Sequence, residues 1–324
     1  MAFPTGTWST YTAVGVREDL ADVIYDISPT ETPFMSNAKR GSATQKLVEW
    51  QTDSLAAATS VGQLEGDEAT GQSGVPTVRW GNYMQIQFKV PVVSGTLKAS
   101  DTAGRADEMS YQVAKRSKEL KRDMETTLLS TNGANAGNAT TARKLAGVAR
   151  WLCDGANQIH LAPTATGWTS TAVTSGVPTD DCTTSTTVSA LTEAQLKSAI
   201  ALAWDDGGDA SLILCRSTTK QAISAFTGIA TQYRDNPQAG PATIIGAADV
   251  YVSDFGTHYI VANRFIPAGV LYCLDMDYWE VAYLRPFTSW DLAKTGDTTK
   301  KQILVEYTLK ALNRDSSAKI DGVT

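Results

Sequence analysis

"ADEMSYQVAKRSKELKRDMETTLL", residues 106–129, is the stretch from which the rest of the chain can be read. Met109, Val113, Leu120, Met124 and Leu128 fall on one narrow helical face, with small Ser117 at the skipped position, and the remaining surface is charged or polar. At ~1.5 Å per residue this predicts a rod of roughly 35 Å. Asp107 and Glu108 lie in the first turn, where the helix dipole favours anions. Lys115 with Glu119, and Lys121 with Glu125, have the spacing of outward-facing ion pairs. The basic residues Lys115, Arg116, Lys118, Lys121 and Arg122 alternate with acids, so they predict a solvated or inter-subunit face and not a nucleic-acid site.

Upstream, REDLADVIYDI (17–27) carries an apolar stripe at Leu20, Val23, Ile24 and Ile27. Ser28 and Pro29 end that helix, and SPTETPFMSN (28–37), stiffened by Pro29 and Pro33, predicts an extended, non-helical arm. Within it, Phe34 and Met35 are sticky side chains with no local core. The period then changes to two. Val48, Trp50 and Thr52 face one way in KLVEWQT, and in RWGNYMQIQFKV (79–90) Trp80, Met84, Ile86, Phe88 and Val90 alternate with Arg79, Tyr83, Gln85, Gln87 and Lys89. The intervening segment holds Gly62, Gly66, Gly71 and Gly74 and the acids Glu65, Asp67 and Glu68. Residues 46–92 therefore predict a long two-stranded projection with a mobile tip. A lone ribbon is marginal in water, so its support is expected from outside its own chain.

Downstream, the Thr/Ser-dense run 164–189 predicts a surface insertion. Thr192 and Gln195 form a capping box ahead of a stripe of Leu196, Ala199, Ile200, Ala203 and Trp204. A strand SLILC (211–215) and a second helix from Ser217, with Ile223 and Phe226 inside, complete an α/β layer. Further strands are expected at 249–253, 258–262, 270–274 and 278–284. The last, QILVEYTLKAL (302–312), should bury Ile303, Val305, Tyr307 and Leu309 on one face.

Composition narrows the function. The 324 residues include 28 basic and 34 acidic ones, 28 − 34 = −6, which predicts no global attraction to nucleic acid or anionic lipid. No apolar run approaches the ~20 residues that span a bilayer, and the start has no secretory leader pattern. The four cysteines have no metal-ligand spacing. Cys215 and Cys273 read as core hydrophobes; Cys153 and Cys182 flank the polar insertion and can approach each other, but a reducing compartment predicts free thiols. His160 and His258 sit in apolar surroundings and read as structural. GxSxG, P-loop, GxGxxG and HExxH motifs are absent, and the acid pairs Asp180/Asp181 and Asp205/Asp206 lie in turns. No catalytic, metal or cofactor site is expected.

The segments EDLADVIYDISPTETPFMS, KLVEWQTDSL, DTAGRADEMSYQVAKRSKELKRDME, YLRPF, LAKTGD and VEYTLKALN together resemble a family of tailed-bacteriophage major capsid proteins with the Hong Kong 97 fold. The resemblance runs over nearly the whole chain and is weakest in the Thr-rich insertion. It implies an α+β chain with an N-terminal arm (1–45), an extended loop hairpin (46–92), a spine helix (93–135), an axial domain (136–269) and peripheral strands with the C-terminus (270–324). It implies self-assembly through pentamers and hexamers into an icosahedral head around double-stranded DNA, in the host bacterial cytoplasm. Portal and scaffold or decoration proteins are implied partners, with no membrane, no cofactor and no intersubunit Lys–Asn crosslink. The expected subunit contacts are Phe34 and Met35 in the arm, Trp50 and Trp80 in the ribbon, Glu65, Asp67 and Glu68 at its tip, and Tyr233 and Arg234 in an axial loop. The competing readings are a protein-cargo nanocompartment shell, a tail or baseplate protein, and an α/β enzyme without a recognised motif.

Overall fold

In a computed structural model, the described residues are 29–324 apart from 59, 61, 63, 64, 67, 69, 70, 72, 73, 103, 154–156, 162–174, 185, 186 and 227–248. The helix expected at 17–27 lies outside them. Three groups of strands organise the rest. A five-stranded sheet contains β1 (Lys39–Ser42), β4 (Gln85–Lys89), β5 (Val92–Ser94), β11 (Trp279–Asp291) and β12 (Thr298–Ala311), in the order β1-β11-β12-β4 with β5 on the far part of β12. A six-stranded sheet contains β6 (Gln158–His160), β7 (Leu212–Cys215), β8 (Val250–Ser253), β9 (Gly256–Ala262), β10 (Val270–Leu274) and β13 (Ala318–Asp321), in the order β6-β13-β10-β7-β9-β8. A separate ribbon pairs β2 (Leu47–Thr52) with β3 (Val78–Tyr83). The helices are α1 (Pro33–Asn37), α2 (Gly95–Ala99), α3 (Glu108–Leu128), α4 (Val148–Trp151), α5 (Glu193–Asp205) and α6 (Ser217–Ser224).

The rod is α3, and its narrow stripe does the predicted work: Leu120, Met124 and Leu128 are fully buried in one cluster with Val305 and Tyr307 of β12. Asp107 is its N-cap, accepting from the Ser110 hydroxyl and from the Ser110 and Met109 N–H groups, and those bonds, the hydroxyl's first, hold its carboxyl below the usual range. Polar bonds pin the rod's flank to β4, with Gln87 Nε2 donating to Thr127 Oγ1 at 2.8 Å and Lys89 Nζ lying 2.6 Å from Asp123. The expected spacing pairs give way. Glu119 pairs with Arg116 at 2.6 Å, and Glu125 is buried.

Glu125 explains the arm. The non-helical expectation for 28–37 is corrected: Pro33 starts the single turn α1, as proline can at a first helical position. The Phe34 and Met35 N–H groups donate to the two Glu125 carboxylate oxygens at 2.8 and 2.9 Å, and Asn263 Nδ2 donates to Oε1 at 2.7 Å. Phe34 is fully covered, its ring edge-on to Trp279 at 6.3 Å, a burial worth ~1.5–3 kcal/mol. A deletion through residue 40 would therefore open this core. Burial pushes the Glu125 carboxyl up from its ordinary 4.5, against the pull of its three hydrogen bonds. A raised native pKa means the folded state holds the proton longer, so this group's contribution falls as pH rises through that window. Thermal unfolding of Glu125→Gln, which leaves one arm N–H without an acceptor, should show a loss of about 1–3 kcal/mol. The gap from wild type should narrow as pH rises above 4.5; a constant gap would show that the carboxyl does not titrate there.

The strand expected across 79–90 is two strands. The chain breaks at Met84, whose N–H donates to the Lys46 carbonyl, and β4 then pairs with β12 instead of β2. The break inverts the alternation: Gln85 and Gln87 turn inward, while Ile86 and Phe88, expected inside, are 40% and 56% exposed. Buried Asn82 holds the crossing, bonding the Ala146 N–H and the Ala146 and Leu309 carbonyls. In β12 the predicted face (Ile303, Val305, Tyr307, Leu309) is buried, but Leu304, Glu306 and Thr308 on the opposite face are covered too. Glu306 lies between Arg143 and Arg285 at 2.6 and 2.7 Å.

Around the second sheet, the capping box of α5 forms as expected and Leu196, Ala199, Ile200 and Ala203 are buried, whereas Trp204 is 55% exposed. Cys215 and Cys273 sit in this core, where burial pushes both thiols up to about 12. β10 and β13 hydrogen-bond inside this sheet, so the chain's last strand joins the layer of residues 158–262 and not that of α3. The free thiols expected at 153 and 182 are also corrected, because Cys153 and Cys182 are joined as a disulfide with Cα atoms 6.1 Å apart. His258 is buried, its Nδ1 2.6 Å from the Ala210 carbonyl and its Nε2 2.6 Å from Ser253 Oγ, which ties the β8–β9 turn to the sheet. Since a carbonyl only accepts, Nδ1 carries the proton there.

Candidate assembly surfaces

Three surfaces stand out, and the first is the ribbon. Its root is held by its own chain, contrary to expectation. Trp151, at the end of α4, packs 5.5 Å from Trp50 and 6.0 Å from Trp80, whose Nε1 donates to Thr52 Oγ1. The Arg314 guanidinium lies 4.8 Å from the Trp80 ring centre. Trp50 and Trp80 are thus anchors within the subunit. Beyond Thr52 and Val78 the pairing stops, and Leu55 (99%) and Val75 (63%) are exposed. Glu65 and Glu68 are exposed, and Asp67 lies outside the described residues.

The second surface is the face of the five-stranded sheet turned away from α3. Ile86 and Phe88 on β4 and Trp290 (40% exposed) on β11 stand around Leu304, through the pairings Phe88↔Leu304 and Thr288↔Leu304. Phe287, where β11 bulges beside Pro286, which has no N–H for the ladder, instead lines a groove on the α3 side with Met35 and Lys121. Periodicity alone pointed Ile86 and Phe88 into the core. The signal that could have placed them is the pair of glutamines at 85 and 87, which have partners to reach only on the α3 side.

The third is a cationic groove of about 600 Å³ between the first turns of α3 and the far end of β11 and β12, lined by Lys98, Lys294, Lys300 and Lys301 together with Asp107 and Asp291. Of the other expected contacts, Phe34 is spent inside its own core, Met35 is partly covered, and Tyr233 and Arg234 lie outside the described residues. Among the described residues, no group of three His, Cys, Asp or Glu side chains is arranged to hold a metal, and no helix is long and apolar enough to cross a membrane.

Comparison with known proteins gives this geometry its context. The chain is 26% identical over 337 residues to the major capsid protein of Escherichia phage Phieco32, covering 97% of this chain and 96% of that one. The capsid of cyanophage A-1(L) shares the fold at TM-score 0.66 with 15% identity, over 98% of both chains. The SrpI encapsulin of Synechococcus elongatus shares it at TM-score 0.53 with 11% identity, over 95% of this chain and 92% of that one. The family described as SU10 major capsid protein matches residues 3–324. The family match runs along almost the whole chain, and the chain therefore belongs to the SU10 major capsid protein family and is a structural subunit of a phage head shell.

Proposed function

We propose that the ribbon beyond Thr52 and Val78 lies across a neighbouring subunit and that the open apolar sheet face receives a neighbour's chain, closing pentamers and hexamers into an icosahedral head. The single observation carrying this reading is the exposed Ile86, Phe88 and Trp290 on one sheet face, an arrangement that costs solubility in an isolated subunit and gains stability when covered. The acidic tip (Glu65, Asp67, Glu68) complements the lysine-lined groove of a neighbour. Tyr233 and Arg234 would approach the capsomer axis. The head would enclose double-stranded DNA through nonspecific contacts and be assembled in the host cytoplasm with a portal and a scaffold or decoration protein. The encapsulin likeness favours a protein-filled shell as the second reading, and cargo identity separates the two.

Electron microscopy of the expressed chain tests the reading. Wild type should give closed particles. Phe88→Glu should leave a chain with unchanged circular dichroism and melting that makes none, because Phe88 is more than half exposed in the subunit. Normal particles from Phe88→Glu would overturn the role given to this face.

A further inference from the structure

The root of the ribbon is gripped from two sides. One jaw is α4, where Trp151 meets Trp50 and Trp80, and Cys153 follows two residues later with its N–H on the Arg150 carbonyl. The other is the segment 176–182, part of the run that sequence assigned to a surface insertion. Gly176 N–H donates to the Arg79 carbonyl at 2.7 Å, and Gly81 N–H donates back to the Gly176 carbonyl at 3.0 Å, so this segment extends the ribbon by β3's outer edge. It is tied to the loop after α3 by Ala134 N–H on the Pro178 carbonyl (2.7 Å), Gly133 N–H on Asp181 Oδ1 (2.7 Å) and Cys182 N–H on the Thr131 carbonyl (2.8 Å). The Cys153–Cys182 bond joins the two jaws.

We infer that Cys153 and Cys182 form a redox-gated staple at the ribbon root, a dithiol while the subunit is made and a disulfide once the particle leaves a reducing compartment. The compartment change rests on the cytoplasmic assembly proposed above; the staple itself rests on the geometry. A Cα separation of 6.1 Å lies within the range a disulfide spans without backbone movement. Lys319 Nζ, fully buried, sits 3.2 Å from Cys182 Sγ, a donor in reach of that sulfur, and this contact assigns Cys182 as the attacking sulfur. Cys215 and Cys273 have thiols raised by burial and stay out of the exchange.

The oxidant is a low-molecular-weight disulfide of the glutathione type. The Cys182 thiolate attacks one of its sulfurs and expels one thiolate, leaving a mixed disulfide. Cys153, as its thiolate, then attacks the Cys182 sulfur and expels the second. Two protein thiols lose two electrons, the small disulfide becomes two thiols, and the protons from both cysteines end on those leaving groups. Because Cys153 and Cys182 are 1% and 3% exposed, exchange needs the jaws apart, and the closed bond is shielded from reductant by the same packing.

The test uses the full chain, either treated with oxidised glutathione or reduced with a phosphine, then blocked with an alkylating agent. Peptide mapping should find the 153–182 linkage in the oxidised sample and alkylated Cys215 and Cys273 in both. Hydrogen exchange at the Gly81 and Gly176 amides should be about tenfold slower in the oxidised chain, with amides of β10 unchanged. Four alkylated cysteines after oxidation, or equal exchange in the two states, would overturn the proposal. Cys153→Ala/Cys182→Ala should exchange like the reduced chain under both treatments; should that variant not fold, the wild-type comparison decides alone. Both readouts lie within one subunit, so they fail separately from any failure to form particles.

Discussion

A subunit in which residues 53–77 are replaced by an Asn-Gly turn folds normally and makes no closed shells. Thr52 and Val78 are paired across the ribbon, so a two-residue turn with positive φ at both positions joins them without changing register. The segment removed includes Leu55 and Val75, which are exposed, and none of its described residues belongs to either core. Melting should shift by no more than a few degrees, since substitutions away from buried contacts change stability little, by about ±0.5 kcal/mol each. Light scattering and electron microscopy should move from particles to small species. Closed shells from this variant would show that the distal ribbon takes no part in assembly, whatever its exposure.

The second large effect is internal. Trp151→Ala should destabilise the subunit by about 3–5 kcal/mol, a large share of the total for a domain of ordinary stability. The ring is 2% exposed and is the common neighbour of Trp50 and Trp80, so its loss opens a cavity that two other indoles border but cannot fill. Trp204→Ala is the control, because Trp204 is more than half exposed and its ring meets Phe255 at the surface, so it should cost well under that amount. Denaturant unfolding measures both. A Trp151→Ala loss below about 1 kcal/mol would mean that the ribbon root is held by backbone pairing alone.

These sites mark where the sequence was informative and where it was not. α3 was legible because one narrow stripe at helical spacing can satisfy only one geometry, and Leu120, Met124 and Leu128 are buried as that stripe requires. Glu125 was not, because its spacing from Lys121 is the ordinary signature of a solvated pair, and the arm N–H groups that claim it are about ninety residues away. Period two was legible in residues 79–90, but the exchange of partners at Met84 was hidden. A strand that changes sheets keeps its alternation in sequence while reversing which side is wet. Phe34 looked like an anchor for a neighbour because nothing near it in sequence offers a core; Trp279, which covers it, comes 245 positions later by 279 − 34. The polar run containing Cys182 hid a structural segment for a related reason: its hydrogen bonds are made by backbone atoms, which leave no trace in side-chain composition.

The order of strands has a consequence for synthesis. β13 is the last of the six in the chain but lies between β6 and β10 in the sheet. During translation β6 has no partner until residue 321 emerges, and β10 presents an unpaired edge on that side. A prematurely terminated polypeptide therefore carries a vacant slot in mid-sheet, open to chaperones and proteases and unable to present a finished face to its siblings. The topology makes the emergence of β13 a precondition for closing this sheet.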